Sequence, residues 1–133
     1  MFKVVSVTRF RKGLERDEAR RLWHAHGQLA LATPGLVRYV QNHWQQEADP
    51  RFVLGTFGDG SPAFDGHAEL WFRDRQAFEA AMETEEWAAT IEDGPRVFDG
   101  ESMVSGVVDE YLMRWDALPD GRFYTATDDP PRG

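Results

Sequence analysis

Two helical stretches, each set between short strand-like runs, leave this chain few ways to fold. The first, ERDEARRLWHAHGQLALAT at residues 15–33, is stopped by Pro34-Gly35. Asp17 and Glu18 fall in its first turn, where negative charge suits the helix dipole. The second, DRQAFEAAMETEEWAATIED at 74–93, has Asp74 placed to cap it and reads as one helix or as two broken near Thr84. Around them lie four runs that read as strands: FKVVSVTR (2–9), LVRYVQNHW (36–44), HAELWFR (67–73) and SMVSGVVDEYLM (102–113).

The resulting order, βαββαβ, is the split βαβ or ferredoxin-like arrangement, an α+β fold with helices on one face of an antiparallel sheet. A sheet with one wet face alternates apolar and polar residues along each strand. Here VVSV and VSGVV are apolar or small on both sides, so both faces are expected to be covered. The chain has helices enough for one face only. A second copy of the sheet is the expected cover for the other, which makes a homodimer the predicted assembly.

At 133 residues the chain is read as one domain with a real core, spanning 1–113, followed by a tail at 114–133 anchored only by Phe123 and Tyr124. Residues 45–66 are rich in Pro, Gly and Asp-Gly pairs and read as a long loop, with FVLGTF as a short extended piece inside it. A net charge of -8, from 23 acidic and 15 basic residues, would repel a polyanion and speaks against nucleic acid as a partner. No apolar run approaches the roughly 20 residues needed to span a bilayer, so no membrane association is expected. The opening MFKVVSVTRF is too short in its apolar part to read as a signal peptide. With no cysteine there is neither a disulfide framework nor thiol chemistry. A cytoplasmic protein is the expectation.

The histidines of LWHAHG (22–27) separate on a helix, because successive residues turn by about 100°. Ala19, Leu22, Trp23, Leu29, Ala30 and Thr33 share one stripe with His26 near its middle. His24 points to the other side, among Asp17, Arg20, Arg21 and Gln28, with Leu31 the apolar intruder there. The two therefore cannot share a metal ion. His24 reads as a solvated helix residue. His26 reads either as a buried histidine bonded to a neighbour or as an imidazole on the wall of a helix–sheet cavity.

Alternation places Tyr39, Gln41 and His43 on one face of the second strand, with Arg38, Asn42 and Trp44 on the other. In the third strand His67, Glu69 and Trp71 share a face, while Ala68, Leu70 and Phe72 read as core. The polar set is expected either to line a pocket or, for Glu69 and Arg38, to form an ion pair within the sheet or a dimer interface. His67-x-Glu69 offers two metal ligands without a third, and no metal site is assigned. Ala77, Phe78, Ala81 and Met82 read as packing. Glu92, Asp93 and Asp99 bracket GPRVF, as loop caps or as catalytic acids. No Gly-rich nucleotide loop, H-E-x-x-H or G-x-S-x-G is present.

Three segments carry a family resemblance: HGQLALATPGLVRY (26–39), DGHAELWF (65–72) and, more loosely, EDGPRVFD (92–99). Together they resemble the EthD-like family of dimeric α+β barrel proteins, over most of residues 2–113. Gln28 stands where that family commonly has a proline. The resemblance implies a ferredoxin-like protomer, sheets packed face to face in a dimer, and a cavity between sheet and helices. Relatives in the superfamily include cofactor-free monooxygenases, lactone isomerases, dehydratases and haem-binding members.

The leading expectation is a small, cofactor-independent enzyme that moves a proton on an apolar, oxygenated ring compound, by dehydration, cyclisation or isomerisation. His26 is the first candidate for the acid–base group, followed by His43, His67 and Glu69. Trp23, Tyr39, Trp44 and Trp71 are the candidates for shaping the substrate pocket. A cofactor-free oxygenase and a non-catalytic ligand-binding dimer are the alternatives.

Overall fold

The computed structural model describes residues 1–45 and 63–111. The long-loop segment at 46–62, including FVLGTF, and the chain from 112 onward lie outside the described residues. Eight elements run in order: β1 (Phe2–Thr8), α1 (Arg16–Leu31), β2 (Leu36–His43), β3 (Gly66–Phe72), α2 (Arg75–Met82), α3 (Glu85–Asp93), a 3-10 turn (Gly94–Arg96) and β4 (Val104–Val108). Their sheet order is β2-β3-β1-β4, with every neighbouring pair antiparallel. The expected ferredoxin-like fold is the one observed.

Local chemistry sets the helix ends. Glu15 caps α1 by accepting from the Glu18 amide at 3.1 Å, and Asp17 and Glu18 occupy the first turn. Beyond Leu31 the chain tightens through Thr33 N–H to the Ala30 carbonyl. Pro34 then bars further helix, and Gly35, at φ +83°, turns the chain into β2. Asp74 caps α2 through the Ala77 amide at 2.8 Å, as expected.

The second helical stretch is two helices, and Thr84 is the reason. Its hydroxyl donates to the Ala81 carbonyl at 2.7 Å and accepts from the Trp87 amide at 3.2 Å. One side chain thus closes α2 and caps α3. β4 is shorter than expected: the ladder to β1 runs only from Val104 to Val108, within the predicted 102–113.

All three helices lie over one face of the sheet. That face carries Ala68, Leu70 and Phe72 of β3, and Trp23, Ala81, Val97 and Phe98 complete the buried core against them. Phe78 and Met82 pack at its margin, as expected of α2. Along α1, Ala19, Trp23, His26, Gly27 and Ala30 are buried and His24 is exposed. The predicted stripe holds, except that Leu29 sits at its rim, 38% exposed.

Close approach of Trp23 to the sheet depends on Gly66. A Cβ there would lie 2.3 Å from the Asn42 carbonyl oxygen and 2.7 Å from the Trp23 ring. Backbone and a core indole cannot both give way. Gly66→Ala is therefore expected to lower unfolding stability by about 1–3 kcal/mol, as overpacked substitutions do, measurable by urea denaturation.

The opposite sheet face carries Val5, Val7, Val40, Val104 and Val108 beside Trp44, His67, Glu69 and Trp71. Among the described residues no helix covers it. Val104 is 59% exposed there, whereas Lys3 on the neighbouring strand is only 7% exposed. The valines meet the expectation of strands apolar on both sides.

Candidate functional site

Between α1, α3 and the helical face of the sheet lies a cavity of about 290 Å³. Its wall is mostly apolar, with Leu70 and Ala68 as floor, Trp87 and Ile91 from α3, and Phe98 and Met103 from the chain leading to β4. Ile91 is 59% exposed and marks the mouth. The polar groups that reach this space are few: His26, Tyr39, Ser6, Thr8 and Thr90. An apolar hollow with a handful of convergent polar groups is the ordinary make-up of a small-molecule site.

His26 enters the cavity from the middle of α1's buried stripe. Its Nδ1 lies 2.9 Å from Asp93 Oδ2, at the end of α3, and its ring packs nearly perpendicular to Phe98, with centroids 5.3 Å apart and planes at 88°. Asp93 is held in turn by Arg96, whose Nε donates to Oδ1 at 2.9 Å. The Arg96 hydrogen bond comes first; burial pushes the other way, and the His26 hydrogen bond and both positive charges add to Arg96, so the Asp93 carboxyl is held below the usual carboxylate range. Asp93 is thus a carboxylate at neutral pH, and Nε2 is the imidazole nitrogen that Asp93 leaves unengaged.

Tyr39 supplies the second polar group. Its hydroxyl oxygen accepts from Gln41 Nε2 at 2.9 Å, and the same amide donates to the Trp23 carbonyl at 2.8 Å. Burial raises the Tyr39 pKa, while hydrogen bonds from Gln41 and Trp23 pull the other way, so the phenol keeps its proton. With the oxygen already accepting, that proton is available to an acceptor in the cavity. Gly27 makes room for this cluster, since a Cβ there would stand 2.5 Å from Gln41 Nε2 and 3.1 Å from the Tyr39 ring.

His43 reaches the same side of the sheet but not the cavity wall. Its ring stacks on Trp23 at 4.1 Å, and its Nε2 hydrogen-bonds Gln41 Oε1 at 2.9 Å. Burial first, then the charges of Arg20, His24 and Arg16, push its pKa down. A neutral His43 donating to Gln41 orients the amide that in turn holds Tyr39. Its contact with the site is indirect.

The remaining sequence candidates are on the other face of the sheet. His67, Glu69, Trp44 and Trp71 are separated from His26 by the sheet itself and do not join its cavity. His67 Nδ1 accepts from the Trp44 indole at 2.9 Å. Glu69 is taken up by Lys3 at 2.7 Å and by Asn42 at 3.0 Å, and Arg38 lies 4.6 Å over the Trp71 ring. The expected Glu69–Arg38 pairing is thus replaced by Glu69–Lys3. Lys3 also meets Glu110, which accepts from the Trp71 indole at 3.0 Å. Among the described residues no cluster of His, Asp and Glu is placed to hold a metal ion.

Asp93 and Gln41 are the functional neighbours that sequence reasoning did not rank. Asp93 was visible only as an acid beside GPRVF, because its partner is 67 residues away. Gln41 shares a strand face with Tyr39 and His43, and that alternation was its one available signal. Asp99, the other acid of that segment, accepts from the Glu101 amide at 3.3 Å and shapes the turn before β4.

A model of the EthD domain matches residues 11–101, more than half of the sequence. The chain belongs to the EthD family. An EthD-family protein of Bacillus halodurans resembles this EthD protein in fold, with a TM-score of 0.60 and 16% identity over 83% of this chain and 99% of that one. A dimeric ferredoxin-like protein of Thermobifida fusca superposes at 0.52 with 15% identity, covering 80% and 88%. A variant of SnoaB, a cofactor-independent oxygenase from Streptomyces nogalater, does so at 0.51 with 16% identity, covering 81% and 92%. Identities this low speak to fold alone. A comparison with curated protein sequences returned no match. Among the described residues of this EthD protein, no helix is long and apolar enough to cross a membrane.

Proposed function

We propose that this EthD protein is a small enzyme that binds a neutral, oxygen-bearing ring compound in the His26 cavity and catalyses a lyase or isomerase step by proton transfer. The observation that carries this reading is the meeting of His26 and Tyr39 in one apolar cavity of about 290 Å³. His26 removes a proton from a carbon or hydroxyl of the substrate. The electron pair moves onto a substrate oxygen, where the Tyr39 hydroxyl donates a hydrogen bond to the growing negative charge. Neither role calls for a cofactor. Among the described residues no lysine or arginine lines the cavity, which favours uncharged over anionic substrates.

A second reading is favoured by the likeness to SnoaB. Where the proton comes from carbon, the resulting carbanion would then react with molecular oxygen as co-reactant, giving a hydroperoxide that loses water to leave one oxygen atom on the ring. Both readings share the first step and differ in the fate of the carbanion. The deciding experiment is a thermal-shift screen with phenols, quinones and lactones, followed by assay of the binders with an oxygen electrode. Product without oxygen uptake supports the lyase or isomerase, and stoichiometric uptake supports the oxygenase. Binding without turnover reduces the protein to a ligand-binding module.

The valine-rich sheet face, with its buried Lys3 network, is proposed to seat a second copy of the chain. The dimeric Thermobifida fusca protein supports that reading. Native mass measurement at micromolar concentration checks it, and a monomer there removes it.

A further inference from the structure

We propose that Asp93 is the positioning residue of this site: it holds His26 in the Nδ1–H tautomer and leaves the Nε2 lone pair for the cavity. The inference rests on the reading of His26 as the proton-transfer group. It concerns how that group is aimed before substrate arrives.

An ionised carboxylate can only accept hydrogen bonds. Because Arg96 keeps Asp93 ionised, the proton in the 2.9 Å contact belongs to His26 Nδ1. The two carboxylate oxygens divide the work. Oδ1 takes Arg96 Nε at 2.9 Å, while Oδ2 takes the imidazole and, at 3.3 Å, Arg96 Nη2. Arg96 comes one turn after Asp93, in the 3-10 turn that opens with Gly94-Pro95. The Phe98 ring packs against the imidazole as well, its plane at 88° to it and the centroids 5.3 Å apart. Asp93 itself does not line the cavity, although Gly94 and Pro95 do. It acts from behind the ring.

This arrangement orders the chemistry. In its neutral form the ring accepts at Nε2 and has no proton to give there. Catalysis therefore begins with His26 as base, and the hydrogen-bond donor to substrate in that step is the Tyr39 hydroxyl. The abstracted proton rests on Nε2, and the resulting imidazolium is balanced by the Asp93 carboxylate on its far side. The same proton is then returned from Nε2 to the leaving group or to a new carbon, restoring the resting tautomer.

The test is nitrogen-15 NMR of the His26 ring in the ligand-free protein, at a pH where the ring is uncharged. Wild-type protein is expected to show Nδ1 protonated and Nε2 bare. In Asp93→Asn, whose amide donates as well as accepts, and in Asp93→Ala, the Nε2–H form is expected to become the major one. Asp93→Glu is expected to restore the wild-type pattern. A wild-type ring protonated at Nε2, or a tautomer that both variants leave unchanged, overturns the proposal. A carboxylate with a merely structural role would move the melting temperature but not the tautomer.

With a substrate in hand, Asp93→Asn is expected to lower kcat by about 100-fold with KM nearly unchanged, the signature of lost aim rather than lost binding. If the tautomer shifts as expected but neither Asp93 nor His26 variants slow turnover, the positioning holds and the proton-transfer reading fails. The NMR arm needs no substrate, so the two failures are distinguishable.

Discussion

His26→Ala is expected to lower kcat for a confirmed substrate by about 10²- to 10⁴-fold, the usual loss when a positioned acid–base group is removed. The imidazole stands on the cavity wall, it is 9% exposed, and it contacts the Asp93 carboxylate and the Phe98 ring. Alanine deletes the proton acceptor and leaves the apolar walls in place, so substrate binding should persist. Folding should survive too, because the Asp93 carboxylate keeps Arg96 as a partner. Steady-state kinetics alongside thermal unfolding checks both halves. Turnover unchanged in a folded variant removes His26 from the mechanism. Tyr39→Phe is the companion variant, since it keeps the ring and deletes only the donor.

The second large effect belongs to the other sheet face. Lys3→Met is expected to destabilise the protein by about 2–3 kcal/mol at pH 7, somewhat under the range for a fully buried broken pair. The discount reflects Glu110, whose side chain is 46% exposed, against 22% for Glu69 and 9% for Lys3. Methionine preserves much of the packing under the Trp71 ring, over which the ammonium lies at 4.4 Å. It also leaves two carboxylates facing each other without their cation.

The pH dependence gives this prediction its sign. Burial by itself would raise the Glu69 and Glu110 pKa values, but hydrogen bonds to Lys3 and, respectively, Asn42 and Trp71 bring both below the ordinary value of 4.5. In wild-type protein their stabilisation is present above that value and is lost as pH falls through the lowered folded-state values. Lys3 behaves as the mirror image. Burial alone would lower its pKa, yet Glu110 and Glu69 together raise it above 10.5, so its share fades only as pH climbs through that raised value. The gap between wild type and Lys3→Met should therefore be wide at pH 7 and shrink as acid protonates the carboxylates. Urea unfolding at pH 7 and at successively lower pH measures it, and a gap independent of pH would show that the charges contribute nothing.

Much of this molecule was legible before any tertiary structure. The βαββαβ order, the stop at Pro34-Gly35 and the Asp74 cap all arise from interactions within a few residues. The same holds for the separation of exposed His24 from buried His26, since helical rotation alone decides it. Thr84 was placed correctly as a break, but only its paired hydrogen bonds decide for two helices over one. Strand alternation sorted Tyr39, Gln41 and His43 from Asn42 and Trp44, and His67, Glu69 and Trp71 from the core.

Alternation could not say which of those sets lies under the helices. Two faces of a strand are equivalent until something packs on one of them, and the choice was made by α1, α2 and α3 together. It moved Tyr39 to the cavity and His67, Glu69 and Trp71 away from it. The decisive contacts are also long-range: His26 with Asp93 spans 67 residues, and Lys3 with Glu110 spans 107. Periodicity and caps act over a turn or two, so the sequence by itself determined the elements, their order and the inward aim of His26. Only the tertiary structure decided that His26 meets a carboxylate behind it and an apolar cavity before it, because both are assembled from segments that become neighbours only when the sheet closes.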